Sequence, residues 1–207
     1  MTSSTLRLLL VAGAAAVSLA CAKTNGGENN STSASASNAE GTANAVAANN
    51  SNPTASAQSA APAAIASQAS IVTTDASGAM QTIRKGTNGW TCMPDSPATP
   101  GPDPMCFDAN AGKWVAAWVA HKPPPEGVVG IMYMLEGGTD ASNTDPYATK
   151  PTAENNWIKT GPHIMVVGSK EILAGHPSGP QPDTSVPYVM WAGTPYAHLM
   201  VPIAQSS

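Results

Sequence analysis

Asp108-Ala109-Asn110-Ala111-Gly112-Lys113-Trp114-Val115-Ala116-Ala117-Trp118-Val119, then Pro123-Pro124-Pro125, then Val128-Val129-Gly130-Ile131-Met132-Tyr133-Met134-Leu135 is the stretch whose reading decides the fold. Trp114, Val115, Trp118 and Val119 recur at i, i+1, i+4 and i+5, the stripe of an amphipathic helix. Asp108 or Asn110 offers a side-chain oxygen to cap its start. The three prolines stop it, since proline has no N–H to continue the ladder. Residues 128–135 form a strand-length run, with Met132 and Met134 on one face as period-two alternation requires. A capped helix passing directly into strands, with no alternating βαβ pattern, predicts an α+β domain.

Further strands are expected at 163–168, 188–192 and 198–203, and short helical turns near 151–157 and 169–173. Upstream, the β-prone runs 71–74 and 80–84 flank Asp75-Ala76-Ser77-Gly78, which reads as a hairpin turn. The 207 residues include 19 prolines and 18 glycines, so the elements should be short and joined by many ordered turns. The expected domain covers residues 69–207, with a mainly antiparallel sheet, one main amphipathic helix and a single core.

Cys92 and Cys106 bracket a segment carrying Pro94, Pro97, Pro100, Pro102 and Pro104. They have neither the close Cys-x-x-Cys pair nor the second pair that zinc needs, and in an exported chain they read as a disulfide. Export is read from the first residues: Arg7, an apolar run at 8–17, and small residues before Cys21. That run falls short of the roughly 20 apolar residues that cross a bilayer, and no later run reaches that length. Residues 1–20 therefore read as a signal peptide and the mature chain as lacking a transmembrane helix. Residues 22–68 consist of Ala, Ser, Asn, Thr and Gly, with Lys23, Glu28 and Glu40 the only charges and no aromatic ring. Pro53 and Pro62 interrupt any helix there, so residues 21–68 read as a disordered tether.

Val17-Ser18-Leu19-Ala20-Cys21 resembles the lipobox of bacterial lipoproteins, although Leu19 stands one place later than the usual leucine. The resemblance implies a diacylglyceryl group on Cys21, which becomes the mature N-terminus. It also implies an outer-membrane destination in the cell envelope, because Ala22 is not the aspartate that signals inner-membrane retention. Ser18 and Ala20 equally satisfy the small-x-small rule of ordinary signal peptidase, which would release a soluble protein. The folded part resembles a family of uncharacterised exported bacterial proteins. The resemblance lies in Gly86-Thr87-Asn88-Gly89-Trp90-Thr91-Cys92, Asp103-Pro104-Met105-Cys106, Ser142-Asn143-Thr144-Asp145-Pro146, Gly161-Pro162-His163 and Val189-Met190-Trp191-Ala192-Gly193-Thr194-Pro195-Tyr196. It implies one folded unit and no particular activity.

A net charge of −4 with no run of Lys or Arg gives no electrostatic footprint for nucleic acid. The expected partner is a membrane, through Cys21; a protein or small-molecule partner is left open. Three groups of residues could carry chemistry. The loop at 137–146 gathers Asp140, Ser142, Asn143 and Asp145, oxygen donors of the kind a hard cation takes, without the spacing of a calcium loop. As side chains at turns these also make local backbone bonds, so the loop is a candidate ligand-binding surface and no metal is assigned. His163 and His198 open two strands and, were those strands neighbours, could act together with Asp140 or Asp145 in a hydrolase, either as acid–base groups or through a metal. Met132, Met134, Met165, Met190 and Met200 lie in predicted strands. Thioethers bind copper(I), but strand methionines near aromatic rings ordinarily pack a core; copper would need two sulfurs and a histidine facing one cavity. No catalytic residue and no cofactor is assigned, and the leading reading is a tethered, non-enzymatic binding module.

Overall fold

The computed structural model describes residues 52–75, 80–99 and 101–203. The expected signal peptide, Cys21 and the first part of the tether lie outside the described residues, as does most of the first hairpin's turn. The class is α+β: among the described residues three α-helices accompany an eight-stranded, mainly antiparallel sheet.

Part of the expected tether is folded. Helix α1 (Pro53–Ser59) and the short α2 (Ala63–Ala66) lie within residues assigned above to disordered linker. Asn52 caps α1, its Oδ1 accepting from the N–H groups of Thr54 and Ala55 at 3.1 and 3.2 Å. Pro53 occupies the first turn, where its missing N–H costs nothing, and Pro62 caps α2. Both prolines thus start helices that the sequence reading had them interrupt. Alanine supplies little apolar area but allows close approach, and Ala57 and Ala60 are 0% exposed. They pack with Ile71 and the Cys92–Cys106 disulfide in a cluster of their own.

The sheet strands are β1 (Ser70–Thr74), β2 (Met80–Arg84), β3 (Thr91–Met93), β4 (Met105–Phe107), β5 (Gly130–Met134), β8 (His163–Val167), β9 (Tyr188–Met190) and β10 (His198–Pro202). The order across the sheet is β2-β1-β3-β4-β5-β8-β10-β9. Among the described residues β1 and β3 are the one parallel pair. A small separate ribbon pairs β6 (Ala141–Ser142) with β7 (Trp157–Ile158). The β1–β2 hairpin forms as expected, and the disulfide joins residues directly opposite in β3 and β4, with Cα atoms 4.0 Å apart.

Helix α3 (Ala109–Val119) starts at Asp108, one of the two caps the sequence offered. Asp108 Oδ1 accepts from Asn110 and Ala111, and Oδ2 accepts from the N–H of Ile131. One carboxylate therefore starts α3 and fastens it to β5. Gly130 permits the contact, because a Cβ there would stand 2.2 Å from the Ala111 nitrogen. The buried stripe is Ala111 and Trp114, with Trp118 packed beside them. Val115 also packs against this core, so the first expected adjacent pair turns inward, whereas Val119 is 67% exposed and the second does not. Residues 151–156 form irregular chain with a bend instead of a helical turn and Trp157 opens β7, whereas a 3-10 turn appears at Glu171–Leu173. Among the described residues no helix is long and apolar enough to cross a membrane.

Candidate functional site

The loop at 137–146 turns Ser142 and Asn143 inward, while Asp145 stays exposed. Ser142 and Asn143 are each 1% exposed. Ser142 Oγ donates to the Asn155 carbonyl and accepts from the N–H groups of Thr144 and Asp145. Asn143 Nδ2 donates to the carbonyls of Gly179 and Pro180. The carboxylate of Asp140 accepts from the Thr160 N–H, and that of Asp145 from the Tyr147 N–H. Ser142 Oγ and Asp140 thus close the loop on the rest of the domain and Asp145 makes a local turn contact, whereas the Asn143 side chain is anchored through its Nδ2.

What the loop holds is Trp191. The Ser142 carbonyl accepts from its indole Nε1 at 2.8 Å, and the Asn143 carbonyl from its backbone N–H at 2.9 Å. Trp191 has φ +55°, a left-handed conformation that costs a bulky residue on the order of 1 kcal/mol and persists only where surroundings enforce it. Its ring lies edge-on to His198 at 4.9 Å and stacks on Trp114 at 6.2 Å. Three buried polar atoms near it, Trp114 Nε1, Asn143 Oδ1 and His198 Nε2, have no hydrogen-bond partner.

His163 and His198 stand on neighbouring antiparallel strands and on the same face of the sheet. His163 lies opposite Pro202, and Leu199 lies opposite Val166, so the two histidines occupy opposite ends of the paired segment. Each is buried, 4% and 1% exposed. His163 Nδ1 sits 2.6 Å from the Gly161 carbonyl and His198 Nδ1 sits 2.9 Å from the Tyr196 carbonyl. A carbonyl only accepts, so each Nδ1 carries the proton and each Nε2 keeps its lone pair. Burial lowers the pKa of His163, against the opposing pull of the Gly161 carbonyl. Burial also takes His198 down to about 4, the Tyr196 carbonyl opposing and the charge of His163 adding to the fall. Both rings are therefore neutral near pH 7.

A cavity of about 300 Å³ opens beside His163, with Tyr188, Met200, Thr160 and Ser185 in its wall. No carboxylate lines it. Ser185 Oγ donates to Asp183 at 2.6 Å rather than to His163, so no hydroxyl and imidazole are paired as nucleophile and base. Asp140 and Asp145 do not join the histidines, and among the described residues no three His, Cys, Asp or Glu side chains gather as a metal set. A second cleft of about 440 Å³ runs between Pro123-Pro124-Pro125 and the 3-10 turn, with Trp114 in its wall.

The methionines fall into register. Met132 lies opposite Met165, Met165 opposite Met200, and Met134 opposite His163. They share a single face. Sequence reasoning missed the roles of Trp191 and Trp114, and of Tyr188 beside His163; only the Trp114 stripe carried a local signal. No family model matches this chain, no curated protein resembles it significantly, and no solved structure shares its fold significantly.

Proposed function

We propose that this chain is an exported protein, anchored in the bacterial cell envelope through a lipid on Cys21, whose domain is a non-enzymatic binding module. Its ligand occupies the cavity beside His163, a relocation from the 137–146 loop, whose side chains are engaged internally. The observation that carries this reading is a cavity of about 300 Å³ presenting a neutral imidazole, a phenol and a thioether, with no acid–base pair in its wall. Convergent polar groups in an otherwise apolar recess fit capture of a small molecule or ion. Hydrolysis needs an activated nucleophile or water, and neither Ser185 nor the two aspartates is placed to provide one.

Two measurements test the reading. Mass analysis of the mature N-terminus should find a diacylglyceryl-modified Cys21; an unmodified start removes the anchor. Titration of the chain with a set of small soluble compounds, followed by amide NMR, should concentrate shifts at residues 160–163, 184–188 and 200–203. His163→Phe should abolish them. Shifts that never cluster there would sink the binding-site assignment.

A further inference from the structure

His-x-Met occurs on two paired strands: His163-Ile164-Met165 on β8 and His198-Leu199-Met200 on β10. Alternation puts the histidine and methionine of each triplet on one face. Antiparallel pairing sets Met165 directly opposite Met200, so the triplets converge on the two sulfurs from opposite ends. The next strand adds Met134 opposite His163 and Met132 opposite Met165. Proximity at the His163 end is direct: His163 Cε1 and Met134 Cε lie 3.2 and 3.6 Å from where a Cβ on Gly138 would sit. The cavity wall itself holds His163 and one sulfur, that of Met200; the second sulfur that copper requires comes from Met165, which register sets beside Met200 outside the cavity wall.

We infer that this face is a binding site for a soft monovalent cation, Cu(I) or Ag(I), held by His163 Nε2 and the thioethers of Met134, Met165 and Met200. The inference rests on the cavity reading above and names its ligand. Thioether and imidazole together select Cu(I), whereas magnesium and calcium require oxygen donors. A wholly neutral donor set balances one positive charge in a buried place far better than two, since no carboxylate is present to compensate a second. The imidazole is prepared for the role. Its Nδ1–H is fixed on a backbone carbonyl, the usual outer contact of a metal-bound histidine, which leaves Nε2 as the ligand atom.

Ordinary packing does not call for this composition. Seven of the chain's nine methionines, Met93, Met105, Met132, Met134, Met165, Met190 and Met200, fall on this face. Sheet cores are normally filled by branched aliphatic side chains, yet on the face of β5, β8, β9 and β10 that carries both histidines the one branched aliphatic residue is Val167. At the far end His198 provides a second buried imidazole whose Nε2 has no partner, between the rings of Trp114 and Trp191 at 5.4 and 4.9 Å. Indole faces attract a nearby cation.

Ag(I), which does not change oxidation state under ordinary conditions, is the probe. Titrated into the full mature chain with the disulfide intact, it should give one ion per chain by native mass spectrometry. The ε-methyl resonances of Met134, Met165 and Met200 should shift together with His163 Nε2. The double variant Met165→Leu/Met200→Leu conserves volume and should keep a cooperative thermal transition while losing more than about 100-fold in affinity, beyond the 10–100-fold typical of outer contacts. Met80→Leu, on the outer strand β2, should bind as the unmodified chain does. Retention of Ag(I) without methionine shifts, as at a Cys21 thiol, would overturn the inference, and so would unchanged affinity in the folded double variant. Small compounds that still map to residues 160–163 while Ag(I) is not held against a competing chelator would overturn the metal site and leave the cavity reading standing.

Discussion

The face of the sheet under α1 and α2 is closed by alanines and a disulfide, whereas the face under α3 carries methionines, two imidazoles and a wall of indole and phenol rings. On the first face small side chains bring backbones together, and Cys92 and Cys106 are both 0% exposed. On the second face flexible thioethers fill space that rigid branched chains could fill more tightly, and orphaned polar atoms remain inside. The difference separates two tasks: one side fixes the frame, and the other keeps groups with lone pairs inside it.

The comparison breaks most severely on the covalent side. Replacing Cys92 and Cys106 together by alanine should lower stability by about 3–5 kcal/mol, through lost constraint on the unfolded chain and lost buried contacts; urea unfolding measures it. A loss below ~1 kcal/mol would mean the alanine face holds without its staple. Acid should act on the opposite face. His198 is held down at about 4 in the folded protein, so between pH ~6.5 and ~4 the unfolded chain binds a proton that the native state refuses. Stability should fall as pH drops through that window, by roughly 3 kcal/mol from His198 alone, and level off below it. His163 shifts in the same direction and steepens the fall. Urea midpoints from pH 7 to 4 report the slope, which the cysteine replacements should leave unchanged. The smallest effect sharpens the boundary: Asn52→Ala should cost about 1 kcal/mol through loss of the α1 cap. No change in the thermal midpoint would mean that α1 contributes nothing to the alanine face.

Six of the strands, the hairpin, the disulfide and the Asp108 cap were legible because each has a local signature: a β-prone run, a turn residue, paired cysteines, a carboxylate ahead of an apolar stripe; β3, β4, β6 and β7, two or three residues each, are too short to carry one. Helices α1 and α2 were not. Their alanines gain stability only from what they touch, and those partners, Ile71 and the disulfide, lie elsewhere in the chain. The loop at 137–146 misled for a related reason, since Ser142 Oγ and Asn143 Nδ2 donate to the carbonyls of Asn155, Gly179 and Pro180, which no local window brings near. His-x-Met was visible twice as letters. Its meaning depends on a register between β8 and β10 that alternation alone cannot supply.

Strand order carries a consequence for the time course of folding. β1 pairs with β2, and β3 with β4 and β4 with β5, each strand beside its successor along the chain, while the β1–β3 pairing passes over β2 alone, so each new pairing closes a modest loop. The pairing of β5 with β8 must wait until the whole stretch holding β6 and β7 has been gathered in. Loop closure grows costlier with length, and non-local pairings slow folding. The half that carries the cysteines can thus zip first, and the imidazoles are enclosed only when the last strands arrive.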